Sequence, residues 1–163
     1  MKRIVSLVTL AVVMATLAVG LPACGAADGS EAASASGAGV EVLPPSSFSV
    51  GEYQGKPLVV NFFGSWCGPC NLEAPDLAAF AAAHPEVQFV GIAQDDTEAD
   101  AVGFLEEYGL QVTLVLDDGS LGSKYAITGV PTTLFFDAQG NETDRLVGAS
   151  TQDQFEASLA TAL

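Results

Sequence analysis

From about residue 41 the chain alternates short blocks of strand-like and helix-like apolar spacing. Leu58 to Phe63 is an apolar, β-branched and aromatic run of strand length. Asn71 to Ala83 carries Leu72, Leu77 and Phe80 at helical spacing, and His84-Pro85 ends that segment. Pro75 lies inside it and predicts a break or kink, because its ring clashes with the carbonyl of Asn71. Val87 to Ala93 reads as a buried strand, and Thr97 to Tyr108 as a helix capped by Thr97. Val112 to Leu116 is a further strand, followed by a short helix near Leu121–Tyr125. Thr132 to Phe136 and Thr143 to Val147 flank the turn Asp137-Ala138-Gln139-Gly140 and predict a hairpin, and Thr151 to Leu163 predicts a closing helix. Upstream, Phe48 to Tyr53 forms an irregular edge segment, and Gly55-Lys56-Pro57 turns into the strand at Leu58. The order β, α, β, α, β, short α, β, β, α predicts an α/β fold: a central mixed sheet with helices on both faces.

The first 40 residues follow different rules. Lys2 and Arg3 precede an apolar run from Ile4 to Gly20, then Leu21-Pro22-Ala23-Cys24-Gly25. A basic start, a short apolar core and small residues before a cut form a secretory signal. This one resembles a bacterial lipoprotein signal, whose lipobox ends in Cys. The resemblance implies a signal peptide over 1–23, lipid on Cys24 and attachment to the membrane. An uncleaved anchor stays open, because 17 apolar residues reach the lower edge of a spanning helix. Either way the domain faces an oxidising exterior. Gly25 to Gly39 is Ala, Gly and Ser with two acids, too poor in apolar bulk to order itself. Residues 24–40 therefore read as a flexible tether and 41–163 as one domain.

The whole chain of 163 residues has a net charge of −15. Without the leader, Lys56, Lys124 and Arg145 stand against 20 acidic residues, a net of −17. Such a surface repels phosphate backbones, which excludes nucleic acid as a partner. It offers no electrostatic hold on anionic lipid either.

Trp66-Cys67-Gly68-Pro69-Cys70 is the main chemical candidate, two thiols spaced i, i+3 at a strand-to-helix junction. They can close a disulfide with little backbone movement. Cys67, the outer one, lies where unpaired N–H groups and the helix dipole favour a thiolate, the species that attacks disulfides. Zinc would need about four ligands, and the domain has no other Cys and only His84. A c-type haem site would need His where Asn71 stands. A purely structural disulfide remains, although so small a loop stabilises little. The odd third cysteine is accounted for by Cys24. His84 reads as an exposed helix-end residue. Asp95, Asp96 and Asp100 read as loop and first-turn acids, and the sequon Asn141-Glu142-Thr143 as a chance match.

Asn61-Phe62-Phe63-Gly64-Ser65-Trp66-Cys67-Gly68-Pro69-Cys70 resembles the signature of the thioredoxin superfamily, and Gly129-Val130-Pro131-Thr132-Thr133 resembles its cis-proline loop. The likeness spans roughly residues 45–163. A peroxiredoxin is disfavoured, since the Pro and Thr upstream of its reactive Cys fall here on Val60 and Gly64. Within the superfamily the chain is most similar to exported TlpA/ResA-type proteins. It shares the lipoprotein-like leader, Asn61 where cytosolic thioredoxins carry a buried Asp, and Glu73-Ala74-Pro75 after the cysteines. The region 97–118 resembles the extra strand and helix of that subgroup.

The resemblance implies a thioredoxin-like fold and a monomeric, membrane-tethered, extracytoplasmic thiol–disulfide oxidoreductase. Its partners would be exported protein thiols and disulfides, apocytochrome c among them, and a membrane electron donor or acceptor. It needs no metal or organic cofactor, because the electrons reside in the cysteine pair. Cys67 is expected to be the exposed nucleophile and Cys70 the deeper resolving thiol. Cys70 must lose a proton in an apolar setting, and Glu73, three residues on, shares its helix face and is placed to take it. Trp66, Val130 and Pro131 are expected to receive an extended substrate segment beside Cys67, with Val130–Pro131 in cis. No Lys or Arg lies between Lys56 and Lys124 to support a thiolate, which favours a reductant. An oxidant, or a binding module with a locked disulfide, are the alternatives.

Overall fold

Among the described residues, six strands form one sheet in the order β1-β4-β3-β2-β5-β6. They are β1 (Val42–Leu43), β2 (Leu58–Phe63), β3 (Gln88–Gln94), β4 (Thr113–Asp117), β5 (Thr132–Phe136) and β6 (Glu142–Val147). The helices are α1 (Gly68–Ala83), α2 (Glu98–Tyr108), α3 (Ser120–Lys124) and α4 (Gln152–Leu159). The structure is a computed structural model and describes residues 40–163. The leader, Cys24 and almost all of the tether lie outside the described residues.

The sheet is mixed, as expected. β1, β4, β3 and β2 run parallel to their neighbours, whereas β5 is antiparallel to β2 and β6 to β5. All six residues of β2 are buried because both its faces are covered. Their side chains alternate. Val59 and Phe63 join a core with Ala74, Leu77 and Phe80 of α1, Phe104 of α2 and Phe155 of α4. Leu58, Val60 and Phe62 join a second core with Phe48 and Leu121 of α3. Helices thus cover both faces, three on one and one on the other. The larger core is aromatic: Phe80 stacks on Phe155 at 5.4 Å, and Phe63 on Phe104 at 4.9 Å. Burying each ring contributes roughly 2–3 kcal/mol, which pins α1 and α2 beside the cysteines.

Several expectations need correction. β1 was not anticipated, and it pairs parallel with β4 at the sheet edge, Val42 opposite Leu114. α1 begins at Gly68 and runs unbroken through Pro75. Pro75 falls on the exposed side, where water can satisfy the carbonyl of Asn71, while buried Ala74 and Leu77 hold the helix on either side of it. Leu72 is 78% exposed, because the buried stripe is Cys70, Glu73, Ala74, Leu77 and Phe80. α4 ends at Leu159, four residues before the terminus, and starts with a capping box between Thr151 and Gln154. Thr97 caps α2 as expected, its Oγ1 accepting from the Asp100 N–H at 3.2 Å.

Candidate active site

The site is built where β2 meets α1. Cys67 is the N-cap of α1, with extended backbone, and the Cys70 N–H donates to its Sγ at 3.2 Å. The two cysteines form a disulfide with Cα atoms 5.2 Å apart. Trp66 lies folded over Gly64: a Cβ at residue 64 would sit 2.6 Å from the indole, so glycine is what allows this pose. The Trp66 Nε1–H donates to Gln94 O at 3.1 Å, leaving the residue 60% exposed.

The loop before β5 closes the other side. Val130–Pro131 is cis, as the resemblance implied, and Val130 O lies 3.5 Å from Cys67 Sγ. Thr132 Oγ1 donates to Gly129 O at 2.8 Å, and Gly148 N donates to Pro131 O at 2.9 Å, so the loop is held from both flanks. Cys67 and the Val130–Pro131 loop are therefore brought together, while the Trp66 indole reaches toward the end of β3. Cys67 is not exposed as expected. It is 4% exposed against 1% for Cys70, because the N-cap position and the Val130 carbonyl cover the oxidised sulfur. What solvent meets is Trp66, Gly68 and Pro69.

Beneath the disulfide, Glu73 continues the buried stripe of α1 one turn beyond Cys70. It is 3% exposed. Asn61 Nδ2 donates to its Oε1 at 2.9 Å, and the Ser150 N–H donates to its Oε2 at 3.0 Å. Burial pushes the carboxyl from 4.5 up to about 7, although both hydrogen bonds pull it down. Asn61 also donates to Thr133 Oγ1 at 2.9 Å, across the β2–β5 register in which the two residues face each other. Thr133 and Ser150 were missed by the sequence reading. Thr133 was visible as the residue two beyond the proline. Ser150 acts through its backbone N–H, which leaves no side-chain signature.

The cysteine pair thus sits at a helix start, opposite a cis-proline and one helical turn from a buried carboxyl. A family model described as Redoxin matches residues 27–163. The chain belongs to that family. The soluble secreted antigen MPT53 of Mycobacterium tuberculosis is 36% identical over 121 residues, covering 72% of this chain and 70% of that protein. The thiol-disulfide oxidoreductase ResA of Bacillus anthracis is 28% identical over 111 residues, covering 66% and 64%. Among solved structures, a secreted Mycobacterium tuberculosis disulfide oxidoreductase homologous to E. coli DsbE is 35% identical, with a TM-score of 0.64, covering 69% of this chain and 87% of that one. The protein is thus a thiol–disulfide oxidoreductase of the TlpA/ResA type within the thioredoxin superfamily.

His84 and Asp137 of this redoxin serve its framework. His84 is half-buried rather than exposed: its ring bridges Glu86 at 2.9 Å and Glu156 of α4 at 2.8 Å. Burial lowers its pKa, but the hydrogen bonds to Glu86 and Glu156 outweigh that and raise it overall. Asn141 donates to Asp137 Oδ2 at 2.9 Å inside the β5–β6 turn. Among the described residues, no group of three or more His, Cys, Asp or Glu could hold a metal ion.

Proposed function

We propose that this oxidoreductase is an extracytoplasmic, membrane-tethered reductase of disulfides in exported proteins, apocytochrome c being one candidate substrate. In the reduced protein the Cys67 thiolate attacks one sulfur of a substrate disulfide, forming a mixed disulfide and releasing the other sulfur as a thiol. Cys70 gives its proton to Glu73 and attacks the Cys67 sulfur. The second substrate thiol leaves, and the protein ends as the Cys67–Cys70 disulfide, two electrons poorer. A dithiol donor at the membrane restores it. Trp66, Val130 and Pro131 form the rim that receives the substrate chain.

The observation that carries this reading is the Glu73 carboxyl, buried on the Cys70 face and raised to about 7. At that value it is free to accept the Cys70 proton at neutral pH. When ionised it also opposes negative charge on the nearby sulfurs, and no Lys or Arg between residues 57 and 123 offsets it. Disfavouring the thiolate disfavours the reduced form, which makes the couple more reducing.

The test is equilibration of the purified domain with glutathione buffers. We expect a potential nearer that of thioredoxin, about −270 mV, than that of the oxidant DsbA, about −120 mV. A value above about −180 mV would reverse the direction to an oxidant.

A further inference from the structure

The backbone just before Cys67 is fastened at an unusual number of points. Ser65 is held at three of its atoms. Its N–H and its Oγ both donate to the Asp96 carboxylate, at 2.6 and 2.8 Å, and its carbonyl accepts from Asn71 Nδ2 at 3.1 Å. The same Asn71 Nδ2 donates to Cys67 O at 2.9 Å, which also accepts the Asn71 backbone N–H at 3.1 Å. Asn71 is in turn oriented by Tyr108, whose hydroxyl donates to its Oδ1 at 3.0 Å. Asp96 directly precedes the Thr97 cap of α2, and Tyr108 is the last residue of that helix. One helix therefore grips the active-site loop at both of its ends. Between the two grips lies a groove of about 310 Å³, with Ser65 and Asn71 on one wall and Gly103 and Phe104 on the other. Asp95, before the first grip, takes a left-handed φ of 49°, which L residues rarely adopt. A turn of this kind brings Asp96 back toward Ser65.

We propose that Asn71, with Tyr108, Ser65 and Asp96, positions Cys67 for exchange. The grip fixes the N-cap residue so that its sulfur stays over the Cys70 N–H, the donor seen at 3.2 Å. In the reduced protein that donor stabilises the Cys67 thiolate. A loosened loop lets the sulfur drift from the helix start, and the thiolate loses both the hydrogen bond and the helix dipole. The four residues act through Cys67, by holding the backbone on either side of its sulfur. The proposal rests on Cys67 being the attacking thiol but not on the direction of electron flow.

The experiment measures iodoacetamide labelling of Cys67 in the reduced protein against pH, read by mass spectrometry, beside urea stability of each variant. In Asn71→Ala, labelling at pH 6 should slow about fivefold, the factor that one well-placed hydrogen bond is worth, and the profile should move to higher pH. Tyr108→Phe should move it the same way by less, and the double variant no further than Asn71→Ala alone. Asp96→Ala should also slow labelling, whereas removing a carboxylate by charge alone would speed it. Lowered stability with unmoved pH profiles, or faster labelling in Asp96→Ala, would overturn the proposal. If Asn71→Ala does not fold, an unmoved Tyr108→Phe profile overturns it alone. A potential above about −180 mV would refute the reductase reading and leave this one standing.

Discussion

Replacing Glu73 by Gln tests the buried carboxyl directly. In the unfolded chain the group titrates near 4.5, and in the folded protein burial raises it to about 7. Between those values the folded state keeps a proton that the unfolded state has released. Stability therefore falls as pH rises through this window. Below it both states are protonated and nothing is lost; above it the full penalty of ionising a buried group is present. The gap is worth about 3 kcal/mol. The assay is urea unfolding of the oxidised protein at several values between pH 4.5 and 8. His84, its pKa raised by its hydrogen bonds to Glu86 and Glu156, also lowers stability as pH rises, so the measure is the difference between wild type and Glu73→Gln. Asn61 and Ser150 both donate to the carboxylate, so the Gln amide must turn one donor away. That offset, about 1 kcal/mol, does not vary with pH. The wild type should lose about 3 kcal/mol more than the variant across the window, and exchange by the variant should be at least about a hundredfold slower at neutral pH. Stability curves that run parallel to within about 0.5 kcal/mol would refute the argument, since a raised carboxyl must appear in the slope.

Two further outcomes follow from the charges and the leader. His84→Gln should destabilise the protein by at most about 1 kcal/mol, more at pH 6 than at pH 8.5, because a raised histidine contributes below its unfolded value and loses that contribution as pH climbs through the folded one. Equal losses at both pH values in urea titrations would show that the bridge to Glu86 and Glu156 carries no charge. Mass spectrometry of membrane-extracted protein should find a mature terminus at a diacylated Cys24, and Cys24→Ala should abolish the lipid; an intact Met1 in both forms would exclude it.

The fold could be read from the chain because most of its elements obey one period each. β2 and β5 are short runs rich in β-branched and aromatic residues bounded by turn residues, and their existence followed from that composition. α1 was harder. Leu72 sits at helical spacing from neighbours it does not join, and Pro75 suggests an interruption that tertiary packing overrides. β1 escaped because two residues carry no periodicity, and its strand character comes only from pairing with β4.

The active site divides in the same way, by whether a residue breaks a pattern. Asn61 interrupts the apolar run of β2, and Glu73 interrupts the apolar stripe of α1; each violation marks a polar group that must find a partner once buried. The two violations resolve each other, since Asn61 donates to Glu73. Ser65, Asn71, Asp96 and Tyr108 break nothing, because each stands at a position where a polar residue is ordinary. Their meeting is made by helix α2, whose two ends return to one loop. The buried Asn61–Glu73 pair lies on residues that the burial pattern exposes to inference. The positioning site lies on residues that only the folded chain brings together, which is why the carboxyl was anticipated and the grip on Cys67 was not.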